Sequence, residues 1–213
     1  MKKDRSIIRE ACVETCEEAV TAQRRGADRI ELCSRLDLDG VTPERAVMEE
    51  TVASLSIPVK VMVRPRGGGF VYGEDELIAM EKQLDLCKSL GVKEVVFGLL
   101  NSDGTVDIES TARLAERASP MAVTFHKAID CAGDILEETS RLTSIPQISS
   151  ILTSGGKRTA MDGSGTIREM FHSFGDRFNI IAAGSITEAN LDEVHSRIGA
   201  REYHGRKIVG ELG

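Results

Sequence analysis

Short extended segments alternate with helical segments along nearly the whole chain, and this alternation limits the possible folds more than any other feature. Eight segments rich in β-branched and apolar residues predict strands: Ile8–Val13, Arg29–Leu32, Val59–Val63, Glu94–Phe97, Ala122–Phe125, Ser149–Leu152, Asn179–Ala182 and Arg201–Tyr203. Seven segments between them predict helices: Cys16–Arg25, Pro43–Leu55, Asp75–Leu90, Ile108–Ala118, Ile135–Leu142, Ile167–Phe174 and Glu188–Ile198. Because a helix joins each strand to the next, the strands are expected to pair in parallel.

Two α/β architectures use this alternation, a doubly wound sheet and a TIM-like (β/α)8 barrel. A length of 213 residues suits a compact barrel. The first strand lacks the Gly-rich phosphate turn that follows it in a dinucleotide-binding sheet. The sequence therefore predicts one barrel domain over residues 1–213. Only HGRKIVGELG follows Tyr203, so we expect the eighth helix to be shortened or missing.

A barrel with seven covering helices would expose apolar strand surface between its last and first strands. Such a surface is usually covered by a partner subunit or by a reshaped terminal segment. We therefore expect a homo-oligomer. Light scattering at low micromolar concentration tests this expectation, and a strict monomer would contradict it.

Charge and composition narrow the classes of partner. A net charge of −7 and a pI near 5.3 argue against a nucleic-acid-binding surface. No apolar run approaches the roughly 18 residues of a membrane helix, and the N-terminus lacks the apolar segment of a secretory signal. We expect a cytoplasmic protein with no membrane partner. The five cysteines form no CxxC pair, which predicts free thiols rather than a zinc ribbon.

The stretch Val59–Tyr72, VKVMVRPRGGGFVY, predicts a strand that ends in a basic, glycine-rich loop. Pro65 cannot donate to a sheet ladder, so the strand should stop there. Arg64 and Arg66 flank this stop, and three glycines follow. Two guanidinium groups beside flexible backbone are typical of an anion site. A basic, flexible surface loop would have the same pattern.

Polar side chains mark the carboxyl ends of the strands, which form the functional face of a barrel. Strand alternation could bring several of them into one layer: Glu14, Cys33, Arg64, His126 and His204. Glu31 could be an ion-pair partner of Lys60 or Arg64, or an acid–base group. Cys33 could be a buried apolar residue, a ligand or a nucleophile. His126 and Asp130 are further acid–base candidates, although a histidine here could also be packed in the core.

Two later strands end in glycine-rich loops, which predict a second anion-binding region. Ser154 and Gly155 follow one strand, and Gly184 and Ser185 follow the next. Free glycine amides together with a following helix N-terminus can bind phosphate or carboxylate. With Arg64 and Arg66, these four residues are the predicted substrate-binding set.

The chain resembles the CutC family in segments that run nearly its whole length. The matching segments are GADRIELCS (Gly26–Ser34), VMVRPRGG (Val61–Gly68), VFG (Val96–Gly98), VTFH (Val123–His126), ILTSG (Ile151–Gly155) and EYHG (Glu202–Gly205). The resemblance implies a cytoplasmic, often oligomeric TIM-like barrel that handles Cu(I). It implies Cys33, His126 and His204 as soft ligands, with Cys12 as an unmatched extra thiol. The sequence departs from the family pattern at Gly69, where an acid is usual, and at Lys127, where arginine is usual.

Two functions remain open at this point. The first is copper homeostasis through Cu(I) binding. The second is an enzyme that acts on a small carboxylate or phosphate metabolite at the barrel mouth. The arginines favour the second function, because cationic side chains oppose the binding of a cation nearby.

Overall fold

The computed structural model describes residues 7–212, in which eight parallel strands close a barrel in chain order. The strands are β1 (Ile8–Val13), β2 (Arg29–Leu32), β3 (Val59–Met62), β4 (Glu94–Phe97), β5 (Ala122–Phe125), β6 (Ile148–Thr153), β7 (Asn179–Ala182) and β8 (Glu202–Gly205). The α-helices are α1 (Cys16–Arg24), α2 (Arg45–Ser54), α3 (Glu74–Ser89), α4 (Ile108–Ala118), α5 (Ile135–Leu142), α6 (Ser164–Phe174) and α7 (Leu191–Ile198). Pairing of β8 with β1 completes the barrel, so the predicted fold class is confirmed.

Three helices start two or three residues from their predicted positions: α2 at Arg45 instead of Pro43, α6 at Ser164 instead of Ile167, and α7 at Leu191 instead of Glu188. Thr42 does not cap α2, because its hydroxyl bonds both the amide and the carbonyl of Arg64 at the end of β3. The helix starts instead after Glu44. Thr187 does not cap α7 either, because its amide donates to the side chain of Asn190, the residue that precedes the helix.

Strand alternation separates an apolar exterior from a mixed interior of the barrel. Outward residues of the strands, such as Val61 and Phe97, join the large core between the barrel and the helices. Two small apolar groups lie apart from that core, one of them formed by Cys12, Cys33, Met62 and Val96. The remaining inward positions carry charged and polar side chains, so the interior of the barrel is where chemistry is possible.

The segment after β8 covers the seam between β8 and β1. Ile208 and Val209 are buried in the main core. Arg206 reaches α1 and its N-terminal side, where it pairs with Glu14 and Glu18 at 2.9 and 3.0 Å. Within residues 7–212 no helix follows β8. A reshaped terminal segment therefore covers the seam, and the exposed surface that suggested self-association is missing from this place.

No helix in the described part of the chain has the length and apolar character needed to cross a bilayer.

Candidate functional site

A cavity of about 890 Å³ opens at the carboxyl ends of the strands. The loops after β2 and β3 form much of its rim. Seven of the predicted site residues line it: Glu31, Cys33, Arg64, His126, Asp130, Ser154 and His204. The other four predicted residues lie outside its wall: Arg66, Gly155, Gly184 and Ser185. A cavity is therefore present at the predicted face, but only seven of the eleven predicted site residues line it.

Two thiols meet on its inner wall. Cys12 lies opposite Glu31 in the pairing of β1 with β2, and Cys33 follows directly beyond β2. The sulfur atoms of Cys12 and Cys33 are 3.6 Å apart and both side chains are buried. Contact with Cys33, burial and the nearby Glu31 all raise the pKa of the Cys12 thiol well above its usual range. The Cys12 thiol therefore stays protonated until a cation replaces its proton.

An imidazole and a carboxyl group lie beside this thiol pair. Donor atoms of Cys12, Glu31 and His204 lie within 4.8 Å of one another. His204 contacts Glu10 through Nδ1 at 2.9 Å and Glu31 through Nε2 at 3.7 Å. Burial disfavours the charged imidazole, but the two carboxylates outweigh it and raise the pKa of His204. Burial also raises the pKa of Glu31, whose Oε1 has no hydrogen-bond partner in the described part of the chain.

A layer of buried ions lies beneath these residues. Lys60 is fully buried and contacts Glu10 at 3.2 Å and Glu94 at 3.4 Å. Arg29 bonds Glu10 at 2.5 Å and Glu202 at 2.6 Å. The Glu31 partner considered from the sequence, Lys60, thus pairs with other carboxylates. The sequence analysis did not predict this layer. Strand alternation does indicate it, because Glu10 lies two residues before Cys12 on β1 and Lys60 lies two residues before Met62 on β3, so each pair faces the barrel interior.

Arg64 holds the two rim loops together. Its Nη1 donates to the carbonyl oxygens of three consecutive residues at 2.9 to 3.1 Å, namely Leu38, Asp39 and Gly40. Its Nη2 donates to Gly68 at 2.7 Å. Arg66 lies outside the cavity, where it pairs with Glu76 at 2.5 Å and bonds backbone carbonyls of its own loop. The two arginines therefore do not converge on one anion.

The second predicted anion cradle holds a carboxylate of this chain. Asp130 accepts from the amides of Ser154 and Gly156, each at 2.9 Å, and from the hydroxyl of Thr153 at 2.5 Å. Gly184 uses its carbonyl to accept from Ala160. The loop amides do bind an anion, as the glycine pattern indicated, but that anion is internal. Asp130 is thereby tied to the loop rather than left free for acid–base work.

Ser185, the last of that predicted set, accepts the side-chain amide of Asn190 through its carbonyl, beside the start of α7.

His126 lies away from the thiols, between β5 and the rim. Its Nδ1 accepts from the amide of Ala128 at 3.2 Å, and its Nε2 is buried without a partner among residues 7–212. Burial, and secondarily the charge of Arg64, lowers the pKa of His126 to about 3. The imidazole is therefore neutral at physiological pH. It does not belong to the group formed by Cys12, Glu31 and His204, although it was one of the ligands implied by the resemblance.

The closed barrel and its cavity define a TIM-barrel protein with buried thiol, imidazole and carboxyl groups at the mouth. The family model that matches is the CutC family, over residues 7–209. The chain is 38% identical over 197 residues to the copper homeostasis protein cutC homolog of Homo sapiens, covering 92% of this chain and 72% of that one. It is 38% identical over 195 residues to a family protein CutC of Mesorhizobium japonicum, covering 92% and 75%. The chain belongs to the CutC family.

Solved structures agree with the barrel. A CutC structure from Streptococcus agalactiae superposes with a TM-score of 0.89 at 28% identity, covering 95% of this chain and 99% of that one. N-acetylneuraminate lyase from Mycoplasma synoviae superposes with a TM-score of 0.66 at 11% identity, covering 98% and 71%. The second likeness shows the shared fold alone.

Proposed function

We propose that this protein acts in copper homeostasis by binding Cu(I) at Cys12 and Cys33, with His204 as a further ligand. The observation that carries the proposal is the 3.6 Å separation of the two sulfur atoms on the cavity wall. Cu(I) prefers thiolate and imidazole ligands, which this group supplies. The human relative is named a copper homeostasis protein, which supports the same role here.

The surroundings of the thiols suit a soft cation. His204 donates its Nδ1–H to Oε1 of Glu10, and a carboxylate in that position fixes the imidazole and makes it a better ligand. Cys12 replaces His126 in the ligand set implied by the resemblance, because His126 uses Nδ1 for a backbone bond and lies outside the group. Cu(I) must displace thiol protons, so its affinity rises with pH.

An anaerobic Cu(I) titration against a competing chelator tests this function. Cys12→Ser is expected to weaken Cu(I) binding by more than about 100-fold, since residues behind the ligands usually cost about 10- to 100-fold and a ligand costs more. Cys131→Ser is the matched control, because this thiol is exposed at the cavity rim. Weak binding that is the same in wild type and Cys12→Ser would contradict the proposal.

The proposal places the protein in the cytoplasm, since a thiol pair at this distance stays reduced only in a reducing compartment. The homo-oligomer remains a prediction that light scattering can test. It no longer rests on exposed apolar surface between β8 and β1, because the segment after β8 covers that surface.

A second candidate function is an enzyme acting on a small anionic metabolite. The size of the cavity favours it, because about 890 Å³ far exceeds the space that a single ion needs. Lys157 lines the wall and adds positive charge there, whereas Lys127 pairs with Asp130 at 3.3 Å. Glu31, buried with a raised pKa, is the acid–base candidate. A thermal-shift screen of small carboxylates and phosphates tests this function, and turnover of a stabilising compound would establish it.

A further inference from the structure

A set of three ligands on the cavity wall differs in chemistry from the thiol pair. The donor atoms of Cys12, Glu31 and His204 lie within 4.8 Å of one another, and all three residues line the cavity. Among residues 7–212 this is the only group of three His, Cys, Asp or Glu side chains arranged in this way, and Cys33 does not belong to it. The fold therefore gathers one sulfur, one oxygen and one nitrogen ligand at the cavity.

Glu10 orients His204 for metal binding. Nδ1 of His204 donates to Oε1 of Glu10 at 2.9 Å, so the lone pair of the neutral ring is on Nε2. Nε2 lies 3.7 Å from Oε2 of Glu31. A histidine that ligates a metal almost always donates its other ring N–H to a carboxylate or a carbonyl in this way. The bond that fixes the ring thus leaves free the nitrogen that lies beside the other ligands.

The spacing of the three ligand atoms suits a small ion. Four-coordinate Zn²⁺ binds sulfur at about 2.3 Å and nitrogen or oxygen at about 2.0–2.2 Å, which places neighbouring ligand atoms about 3.3–3.6 Å apart. The 3.7 Å between Glu31 and His204 is already close to this separation. The other pairs, within 4.8 Å, need only small movements of side chains. The ion enters by replacing protons that the ligands now carry.

The charges of this set match a divalent ion. A Cys12 thiolate and a Glu31 carboxylate carry two negative charges, and a neutral imidazole adds none. A divalent cation leaves the buried group neutral, whereas Cu(I) held by the same three groups would leave one negative charge unbalanced in the interior. The ammonium group of Lys60 beneath the site opposes a cation less than an isolated lysine would, because Glu10 and Glu94 already pair with it.

We propose that Cys12, Glu31 and His204 form a site for Zn²⁺ whose fourth position opens into the cavity. Three protein ligands with an exchangeable water are typical of catalytic zinc sites, whereas structural sites use four protein ligands. The site goes beyond the copper proposal, because it uses Glu31 where Cu(I) uses Cys33. Both sets need Cys12 and His204, so one chain holds one metal at a time.

This site gives the second candidate function a cofactor. Glu31 is then a ligand, and a metal-bound water in the fourth position takes over the acid–base role. A carboxylate or phosphate oxygen that enters the cavity can displace this water and bind the metal directly.

Titration of the metal-free wild type with Co²⁺ under anaerobic conditions tests the site, because Co²⁺ can occupy zinc sites and absorbs visible light. One ion per chain is expected to bind, with the strong visible bands of four-coordinate Co²⁺ and a thiolate-to-cobalt band in the near ultraviolet. Zn²⁺ is expected to abolish this spectrum, and azide is expected to change the visible bands by occupying the fourth position. No binding, no thiolate band, the weak spectrum of six-coordinate Co²⁺, or bands that azide leaves unchanged would overturn the proposal.

Two variants separate this site from the copper site. Glu31→Gln keeps the shape of the side chain and is expected to weaken Co²⁺ and Zn²⁺ binding by more than about 100-fold, while Cu(I) binding stays close to that of wild type. Cys33→Ser is expected to weaken Cu(I) binding and to leave Co²⁺ binding unchanged. Glu14→Gln is the matched control, because Glu14 lies outside the group and pairs with Arg206.

Equal Co²⁺ affinity of wild type and Glu31→Gln would overturn the proposal, and so would loss of Co²⁺ binding in Cys33→Ser. Loss of the copper function and loss of the Zn²⁺ site thus give different results. The Co²⁺ spectrum of the wild type decides the matter if a variant does not fold.

Discussion

Replacing Lys60 by methionine is expected to lower the free energy of unfolding by about 3–5 kcal/mol. Lys60 is completely buried between Glu10 and Glu94, and its ammonium group donates to the hydroxyl of Thr124 at 2.8 Å. Methionine fills a similar volume but leaves a buried carboxylate without one of its cations. Chemical denaturation of the purified variant measures the loss.

Two comparison variants make this result specific. Lys93→Met removes an exposed lysine and is expected to change stability by less than about 0.5 kcal/mol. Lys60→Met combined with Glu10→Gln removes both charges and is expected to regain part of the lost stability. A loss below about 1 kcal/mol for Lys60→Met would show that the buried layer tolerates an unpaired carboxylate.

The same substitution is expected to change the response to acid. Burial alone would raise the pKa of Glu10, but Lys60, His204 and Arg29 together hold it well below its usual value of 4.5. A carboxyl group whose pKa is lower in the folded protein than in the unfolded protein stabilises the fold at every pH above its unfolded-state pKa. This contribution to stability is lost as the pH falls through the folded-state pKa. Without Lys60 the folded-state pKa of Glu10 rises. Acid unfolding of Lys60→Met should therefore begin at a higher pH than in wild type.

Replacing Arg64 by lysine is expected to lower stability by about 3 kcal/mol and to loosen both rim loops. Arg64 donates to four carbonyl oxygens, of Leu38, Asp39, Gly40 and Gly68. Lysine keeps the charge but cannot reach both loops with a fixed planar fork. Hydrogen exchange should show faster exchange in the loops around residues 38–40 and 67–69.

Arg66→Lys is the matched control, because Arg66 is 43% exposed and pairs with Glu76 on the surface. Exposed ion pairs contribute about 0–1 kcal/mol, so this variant should remain close to wild type. Equal losses for Arg64→Lys and Arg66→Lys would contradict the role of Arg64 as the link between the loops.

Much of the site followed from the two-residue period of strands. That period predicted that Glu14, Cys33, Arg64, His126 and His204 lie together at one end of the barrel. Four of them line the cavity, whereas Glu14 lies outside it and pairs with Arg206. The same period indicates that Cys12 and Glu10, which are two residues apart on β1, share the inward face of that strand. The details of hydrogen bonding did not follow, because alternation gives the side of a strand and not the atom that a side chain meets.

The amino-acid sequence by itself determined the barrel and the polar, thiol-containing character of the end at which the cavity opens. Those properties depend on local periodicity and on the alternation of strands and helices, which are readable along the chain. The tertiary structure alone decided which groups meet. The Cys12–Cys33 pair depends on the register of β1 with β2. Asp130 is bound by the amides of a loop more than twenty residues further along the chain. Arg64 donates hydrogen bonds to carbonyl oxygens of the neighbouring loops. These contacts join distant parts of the chain, and only closure of the barrel brings them within hydrogen-bond distance.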